Sequence, residues 1–338
     1  MEEKCFIIAE LSANHGGDIQ IAKETIRAAK RTGADAIKIQ TYLPSTMTLN
    51  SDKEDFIVKG GTIWDGRNLY ELYQEASLPW EWHKELFDLA KEENILCFST
   101  PFDKTAVDFL ESLDNPIYKI ASFEIADIPL IKYIASKGKP IIMSTGIATY
   151  DDIELAIRTC KGEGNNDITI LKCTSSYPAP FEEANLIMIK KFAKEFKVKV
   201  GLSDHTMGNL VPILSIAMGA KVIEKHFILN HDVGGPDASF SMDEKEFTLL
   251  VKDIRNAELA IGQETFELTE KQISGRRFGR SIYVNKEIKA GDKITEENIK
   301  IVRPSFGLAP KYYFEVMGKS VNKNLSHGDR LNLEDINN

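Results

Sequence analysis

The feature that most constrains this chain is a repeated alternation of short apolar runs with longer amphipathic stretches. The runs are rich in Val and Ile, a composition typical of β-strands that are buried on both faces. The stretches between them show helical periodicity, which is clearest where Ile21, Ala22, Ile26 and Ala29 share one face of residues 19–32. Eight runs predict strands: Cys5–Glu10, Asp35–Thr41, Ile95–Thr100, Pro116–Ala121, Pro140–Thr145, Ile168–Cys173, Val198–Leu202 and Lys221–Phe227.

Eight β/α units predict a (β/α)8 barrel, known as a TIM barrel. A doubly wound open sheet is the alternative, because it also alternates strands with helices. Such a sheet usually carries a glycine-rich phosphate loop directly after its first strand. Here the first run is followed by Leu11–Gly17, with the sequence LSANHGG, which lacks that pattern. We therefore predict a barrel over residues 1–262.

The chain has 338 residues and continues well past the eighth run. Residues 263–280 are polar and contain Arg276, Arg277 and Arg280, so we interpret them as a solvated linker. Residues 281–338 contain short apolar runs and two similar turns, KAGDKI at 289–294 and SHGDRL at 326–331. We expect a small β-rich domain there, which would be marginally stable alone and would dock on a barrel.

Between the second run and the following helix lies an insertion over residues 43–79, which is long for a connection between a strand and a helix. Long insertions of this kind are often functional, and in a barrel this one would lie over the mouth.

Composition and charge exclude several classes of protein. The net charge is −9, from 42 basic and 51 acidic residues, which argues against nucleic-acid binding. No apolar stretch approaches the ~18 residues of a transmembrane helix, and the first residues, MEEK, do not resemble a signal peptide. The scattered Cys5, Cys97, Cys160 and Cys173 form no CxxC motif and indicate reduced thiols. We expect a cytoplasmic protein without membrane or nucleic-acid partners.

Polar side chains end every predicted strand. Barrel enzymes carry their catalytic groups at the carboxyl ends of the strands, so these residues are the candidates for chemistry. In chain order they are Glu10; Lys38 and Gln40; Ser99 and Thr100; Lys119, Ser122 and Glu124; Ser144 and Thr145; Cys173, Thr174, Ser175 and Tyr177; Ser203, Asp204 and His205; and Glu224, Lys225 and His226.

Lys38 and Lys119 lie inside apolar runs. A buried ammonium group is unfavourable unless an anion neutralises it, so the two lysines indicate an anionic substrate. Neighbouring hydroxyls would complete a cradle for a phosphate or a carboxylate. Those hydroxyls belong to Thr100, Ser122, Ser144 and Ser203.

His205 and His226 follow adjacent predicted strands and are the candidate metal pair. Two imidazoles beside carboxylates such as Glu10 and Asp237 suit Mn²⁺, Fe²⁺ or Zn²⁺. His15 lies near the end of the first run and is a further candidate for this site. The remaining histidines are expected at solvated positions without a role: His83, His231 and His327.

Several of these segments resemble the sialic acid synthase family. They are IIAELSANH at 7–15, GADAIKIQ at 33–40, YKIASFE at 118–124, GLSDHT at 201–206 and IEKHF at 223–227. The segment VRPSFGL at 302–308 resembles the small antifreeze-like β-clip domain, or SAF domain, of that family. Family members condense phosphoenolpyruvate with an amino-sugar aldehyde to make nine-carbon nonulosonic acids, and the same transferase activity is expected here.

Within that family the insertion KGGTIWDGRNLYELY at 59–73 is most similar to the pseudaminic acid synthases. This likeness implies condensation with 2,4-diacetamido-2,4,6-trideoxy-L-altrose, by cleavage of the C–O bond of phosphoenolpyruvate. Legionaminic or N-acetylneuraminic acid synthesis is the alternative within the family.

The resemblance also implies roles for individual residues. Lys38, Lys119 and the four hydroxyls above would hold phosphoenolpyruvate, while His205 and His226 would bind Mn²⁺, with Mg²⁺ or Co²⁺ as alternatives. Glu10 would lie by the metal and the reacting carbons. The residues that would position the sugar and the metal-bound water are Gln40, Glu124, Tyr177 and Asp237.

Two further implications concern Ser175 and Arg303. The family has asparagine where this chain has Ser175, so that substrate contact differs here. In the family the SAF domain crosses to the partner subunit of a homodimer, and its arginine reaches the partner's sugar site. Arg303 matches that arginine, which implies a domain-swapped homodimer.

Two other functions are alternatives to this synthase. A Schiff-base pyruvate aldolase would use Lys38 or Lys119 as its nucleophile on the same fold. Borohydride trapping with pyruvate would label only such an enzyme. A non-catalytic carbohydrate-binding protein would leave the interior lysines and the histidine pair unexplained.

Overall fold

The computed structural model describes residues 4–337, and the chain divides into two compact units, one ending at Gly262 and one beginning at Gln263. The first unit contains a closed barrel of eight parallel strands in sequential order, in which the last strand pairs with the first. The predicted barrel is confirmed, and each predicted run overlaps one strand. The strands are β1 (Phe6–Glu10), β2 (Ala36–Thr41), β3 (Leu96–Pro101), β4 (Tyr118–Ile120), β5 (Ile141–Ser144), β6 (Ile168–Cys173), β7 (Lys199–Asp204) and β8 (Val222–His226).

Helices separate the strands, and their ends follow local signals in the sequence. The first helix begins after Asp18, whose carboxylate accepts a hydrogen bond from the Gln20 backbone N–H, and it ends at Gly33, which has φ of 85°. Among residues 4–337, no helix is both long and apolar enough to cross a membrane. The helices of this unit are α1 (Ile19–Thr32), α2 (Pro44–Met47), α3 (Leu69–Ala76), α4 (Trp80–Glu92), α5 (Lys104–Glu111), α6 (Ile128–Ala135), α7 (Tyr150–Gly162), α8 (Ile187–Phe196), α9 (Leu210–Ala217) and α10 (Glu244–Ile261).

The barrel interior has an apolar layer followed by a polar one. The apolar layer consists of Ile8, Ala36, Phe98, Ile142, Leu171 and Val222. Residues two positions apart on a strand point to the same face, so the next interior residues lie nearer the carboxyl ends. Those residues are Glu10, Lys38, Thr100, Ser144, Cys173 and Glu224. The strand pattern therefore places polar groups from six of the eight strands above a packed apolar floor.

The insertion after β2 contains two short helices, α2 and α3, joined by an irregular loop. Asp65 organises that loop, because its carboxylate accepts hydrogen bonds from the backbone N–H groups of Gly61, at 2.8 Å, and Thr62, at 2.9 Å. The Thr62 hydroxyl donates to the same carboxylate at 2.8 Å. These bonds close residues 61–65 into a compact turn.

The second unit contains α11 (Glu270–Gly275), β9 (Ser281–Val284), β10 (Ile299–Val302) and α12 (Tyr313–Val316). The two strands form an antiparallel pair over a separate apolar core. The arginine-rich stretch that we interpreted as a linker belongs to this unit and includes a short helix.

The two similar turns of this unit have the same hydrogen bonds. Asp292 accepts from the Lys289 N–H at 3.0 Å and returns its own N–H to the Lys289 carbonyl. Asp329 accepts from the Ser326 N–H at 2.7 Å and donates to the Ser326 carbonyl in the same way. The weak repeat in the sequence therefore corresponds to a repeated turn.

Candidate active site

A lysine held between two carboxylates forms the centre of the polar layer. The Nζ atom of Lys38, on β2, lies 2.7 Å from Glu10 Oε2 and 3.7 Å from Glu224 Oε1. It also donates a hydrogen bond to the Thr100 hydroxyl at 3.1 Å. All four side chains are buried, so these ion pairs are shielded from bulk water.

Lys119, on β4, lies on the other side of Glu224. Its Nζ atom donates to the Ser144 hydroxyl at 2.7 Å and lies 3.7 Å from Glu224 Oε1. The Ser203 hydroxyl donates to the same carboxylate oxygen at 3.4 Å. Glu224 therefore joins both lysines. We expected it only as one of the polar residues at the strand ends and assigned it no specific role. The signal for such a role is its position two residues before His226, on the same face of β8.

The ion pairs set the protonation of this centre. Although burial opposes it, Lys119 and Lys38 lower the pKa of Glu224, which therefore stays a carboxylate. Burial raises the pKa of Glu10 despite its contact with Lys38, so Glu10 can take up a proton. Burial lowers the pKa of Lys119, whereas Glu10 and Glu224 outweigh burial and raise the pKa of Lys38.

The two predicted metal-binding histidines lie side by side. The ring centroids of His205 and His226 are 5.3 Å apart. His205 Nδ1 lies 2.8 Å from the Thr174 carbonyl oxygen, which can only accept, so Nδ1 carries the proton and Nε2 keeps its lone pair. His226 Nδ1 lies 3.5 Å from Asp237 Oδ2.

The donor set at these histidines fits a divalent cation. Within the described part of the chain, two buried polar atoms of this region have no hydrogen-bond partner: His226 Nδ1 and Glu224 Oε2. Unpartnered buried donors and acceptors are rare in native proteins. A cation that binds imidazole nitrogen and carboxylate oxygen would satisfy such atoms.

The other histidines have structural surroundings. His15 Nε2 lies 3.3 Å from the Ala76 carbonyl, and His15 Nδ1 accepts from the Gly17 N–H. His83 is fully buried and lies 2.8 Å from the Thr41 hydroxyl, so the expectation of a solvated position was wrong for it. This partner lies on β2, far away in sequence, which no local pattern indicates.

A second set of possible metal ligands lies on the surface, where atoms of His231, Asp243 and Glu246 are within 4.8 Å of one another. The two carboxylates already cap the first turn of α10, because each accepts from the other's backbone N–H. The helix cap is therefore sufficient to explain this cluster.

A small hydroxyl cluster lies beside β5 and β6. The Ser175 hydroxyl donates to the Ser122 hydroxyl at 2.8 Å, and the Ile147 N–H donates to the same Ser122 oxygen at 3.2 Å. Gly146 is essential for this approach, since a Cβ atom there would lie 2.1 Å from Ser175 Oγ. Cys173, which we expected only as a polar residue at a strand end, also lies in this region, with its thiol 3.9 Å from Ser175 Oγ.

The predicted sugar-positioning residues surround the same region. Gln40 donates its amide to Glu10 Oε1 at 2.9 Å. The Tyr177 ring lies 4.4 Å from that of His205. Burial raises the pKa of Glu124 to about 7, although Lys119 opposes the shift. Gln40 therefore contacts the lysine centre through Glu10, Tyr177 contacts the histidine pair, and the charge of Lys119 acts on the pKa of Glu124.

A buried ion pair lies behind the two histidines. Asp204 and Lys225 are paired across β7 and β8, and their side chains alternate with the interior ones. Lys225 Nζ lies 2.5 Å from Asp204 Oδ2 and donates to the Thr206 carbonyl, also at 2.5 Å. Each member directly precedes one histidine in sequence, so the pair ties the two histidine-bearing segments together.

Arg303 is the one predicted site residue outside the barrel unit. It follows β10 in the second unit, and its side chain is exposed.

Two family models match the chain: the NeuB family over residues 25–266 and the SAF domain over residues 279–337. The chain is 51% identical over 335 residues to the pseudaminic acid synthase of Campylobacter jejuni, covering 99% of this chain and 97% of that protein. It is 39% identical over 337 residues to the N,N'-diacetyllegionaminic acid synthase of Legionella pneumophila, covering 98% and 94% respectively.

A solved structure has the same architecture. The N-acetylneuraminic acid synthetase of Leptospira borgpetersenii superposes with a TM-score of 0.72 at 31% identity. The match covers 80% of this chain and 90% of that one.

Proposed function

The chain belongs to the NeuB family, and from this membership we propose that it is a pseudaminic acid synthase. It would condense phosphoenolpyruvate with 2,4-diacetamido-2,4,6-trideoxy-L-altrose and water, giving pseudaminic acid and phosphate. The observation that carries this proposal is 51% identity to a pseudaminic acid synthase over nearly the whole of both chains, against 39% to a legionaminic acid synthase.

Lys38 and Lys119 would offset the charge of phosphoenolpyruvate. Support comes from their burial and from Glu224, which lies 3.7 Å from both Nζ atoms and favours the ammonium forms. Thr100 and Ser144 already accept from these ammonium groups, so their own O–H donors remain available for phosphate or carboxylate oxygens. The other hydroxyls proposed to bind the substrate are Ser122, Ser175 and Ser203.

A divalent cation, Mn²⁺ or in its place Mg²⁺ or Co²⁺, would be held by His205 and His226 and would supply Lewis-acid polarisation of the sugar aldehyde. Asp237 orients His226 from 3.5 Å, and Gln40 and Tyr177 would position the sugar against this pair. The hydrogen bond from His205 to Thr174 holds the imidazole tautomer that the site needs.

The reaction would form one carbon–carbon bond and break one carbon–oxygen bond. The methylene carbon of phosphoenolpyruvate bonds to the aldehyde carbon, and the aldehyde oxygen gains a proton. Water then adds to the former enol carbon, and phosphate leaves with the bridging oxygen. Glu10 or Asp237 would accept the proton of that water. Burial supports Glu10 in this role, because it raises the pKa of that carboxyl.

Glu124 is the proposed proton donor to the sugar. Burial brings its pKa to about 7, so a useful fraction of the carboxyl is protonated near neutral pH. Its Oε2 atom is buried without a hydrogen-bond partner in the described part of the chain.

We further propose three segments: a synthase barrel over residues 1–262, a linker over 263–280 and a SAF domain over 281–338. The SAF-domain match over residues 279–337 supports this division. In a domain-swapped homodimer, Arg303 of one chain would complete the sugar site of its partner. Deletion of residues after Arg280 should then leave the barrel folded but unable to use the sugar, and full activity of that truncation would contradict the swap.

A Schiff-base aldolase, unlike the synthase, needs a lysine whose neutral amine attacks the substrate carbonyl. Lys38 is a poor candidate, because Glu10 and Glu224 raise the pKa of its ammonium group. Lys119 is the stronger one, since burial lowers its pKa. Borohydride with pyruvate separates the two functions: covalent labelling of the protein would support the aldolase, and absence of labelling supports the synthase.

The experiment that tests the proposed function compares three sugars. The purified protein is incubated with phosphoenolpyruvate, Mn²⁺ and either the diacetamido-trideoxy-altrose, the corresponding mannose or N-acetylmannosamine, with EDTA as a control. Phosphate release and product mass are measured together. Product from the altrose alone would support the proposal, whereas product only from another sugar would move the chain to legionaminic or sialic acid synthesis.

A further inference from the structure

Trp64 carries a buried polar atom that no contact among residues 4–337 explains. Its indole Nε1 has no hydrogen-bond partner among the described residues, although the atom is buried. The side chain as a whole is only partly buried. The other indole N–H for which the structure gives a partner, that of Trp80, donates to the Tyr42 carbonyl at 3.1 Å. A buried indole N–H without an acceptor is unusual and points to a missing partner.

The loop that carries Trp64 has a defined conformation. The Asp65 carboxylate binds the N–H groups of Gly61 and Thr62, so the residue next to Trp64 anchors the turn. The Trp64 backbone N–H donates to the Thr62 hydroxyl at 3.2 Å. The turn is closed by backbone bonds between Val58 and the residues after Trp64. The indole is therefore presented by an organised turn.

The ring of Tyr177 lies between Trp64 and the candidate metal-binding histidines. Its ring centroid is 5.7 Å from that of Tyr177, and the Tyr177 ring is 4.4 Å from His205 and 6.3 Å from His226. The insertion thus contributes an aromatic wall to the mouth of the barrel, next to the place where the sugar aldehyde would be polarised.

We propose that Trp64 is a substrate-binding residue that donates its indole N–H to an oxygen acceptor of the amino sugar, an acetamido carbonyl or a hydroxyl. This inference rests on the proposed function and names a contact that determines sugar affinity. The indole N–H can only donate, so it selects an oxygen and offers nothing to an ammonium group. Phosphoenolpyruvate, held by the lysines, would not use it.

The test compares Trp64→Phe with Ile63→Ala in steady-state kinetics of the full-length protein. Phenylalanine keeps an aromatic ring beside Tyr177 but removes the donor. We expect Trp64→Phe to raise the KM for the sugar roughly tenfold, the effect of one hydrogen bond, with the KM for phosphoenolpyruvate unchanged. Ile63 is an exposed neighbour in the same loop, and its substitution should leave both KM values unchanged.

Two controls keep the inference separate from the proposed function. Failure of the wild-type protein to use any amino sugar would overturn the proposed function, whereas turnover with an unchanged sugar KM in Trp64→Phe would overturn only the contact. The same contact can be observed in the wild type. The protein has three tryptophans. The ¹⁵N indole signal that disappears in Trp64→Phe should shift when the sugar saturates, and an unmoved signal would refute the contact.

Discussion

Asp204→Asn tests the buried ion pair that joins the two histidine-bearing segments. Lys225 Nζ lies 2.5 Å from the Asp204 carboxylate, and the two side chains are only 1% and 2% exposed. Asparagine removes the negative charge, so the buried ammonium group keeps only neutral acceptors, namely the Thr206 carbonyl and the new amide oxygen. Loss of one partner of such a pair costs about 3–5 kcal/mol of unfolding free energy. We expect the same range for Lys225→Met.

A double-mutant cycle measures how much of this cost belongs to the pair. The combined Asp204→Asn, Lys225→Met variant has no unpaired charge, so its loss should be well below the sum of the single losses. Unfolding in guanidinium chloride gives the unfolding free energy of each variant. Isothermal titration calorimetry gives its affinity for Mn²⁺. Because Asp204 and Lys225 directly precede His205 and His226, metal affinity should fall as well.

Two results would refute this reasoning. A loss below about 1 kcal/mol in either single variant would mean that water or another group replaces the missing partner. Strictly additive losses would mean that Asp204 and Lys225 act independently.

Three further predictions concern the hydroxyl cluster, Glu124 and the second unit. In Gly146→Ala the new Cβ would lie 2.1 Å from Ser175 Oγ, so the cluster must shift, and the KM for phosphoenolpyruvate should rise roughly tenfold; an unchanged KM would exclude a substrate role for the cluster. The pKa of Glu124 is raised from 4.5 to about 7 by burial, so the wild type should lose about 3 kcal/mol of stability as the pH rises through that window. Glu124→Gln should therefore have a higher Tm than the wild type above pH 7 but not near pH 4, and equal Tm values throughout would contradict the shift. A mixture of refolded Lys119→Met and Arg303→Ala chains should recover about a quarter of wild-type turnover, because only mixed dimers contain a complete site; no recovery would contradict completion in trans.

The barrel could be predicted because each strand is a Val- and Ile-rich run buried on both faces, such as Ile168–Cys173, which coincides with β6. The predicted helix over residues 19–32 has the bounds of α1, because Asp18 and Gly33 mark its two ends locally. These features depend only on neighbouring residues.

The polar layer was predicted for a similar reason. Residues at strand ends in a parallel barrel share one edge, so Lys38, Lys119 and Ser144 had to come together. Glu224 was expected at a strand end but without a specific role, because that role depends on lysines from two other strands.

Contacts between distant segments were beyond the sequence pattern. His83, on α4, is buried and lies within hydrogen-bond distance of Thr41 on β2. The sequence of α4 alone does not indicate this contact. Trp64 lies in an irregular loop, where no periodicity shows which side chain reaches Tyr177.

The central claim is that the barrel joins phosphoenolpyruvate to the amino sugar by C–O cleavage. The most direct measurement uses phosphoenolpyruvate with ¹⁸O in its bridging oxygen, the diacetamido-trideoxy-altrose and Mn²⁺, followed by mass spectrometry of both products. We predict pseudaminic acid without the label and phosphate that carries it. Unlabelled phosphate would contradict the proposed bond cleavage, and absence of any condensation product would contradict the synthase itself.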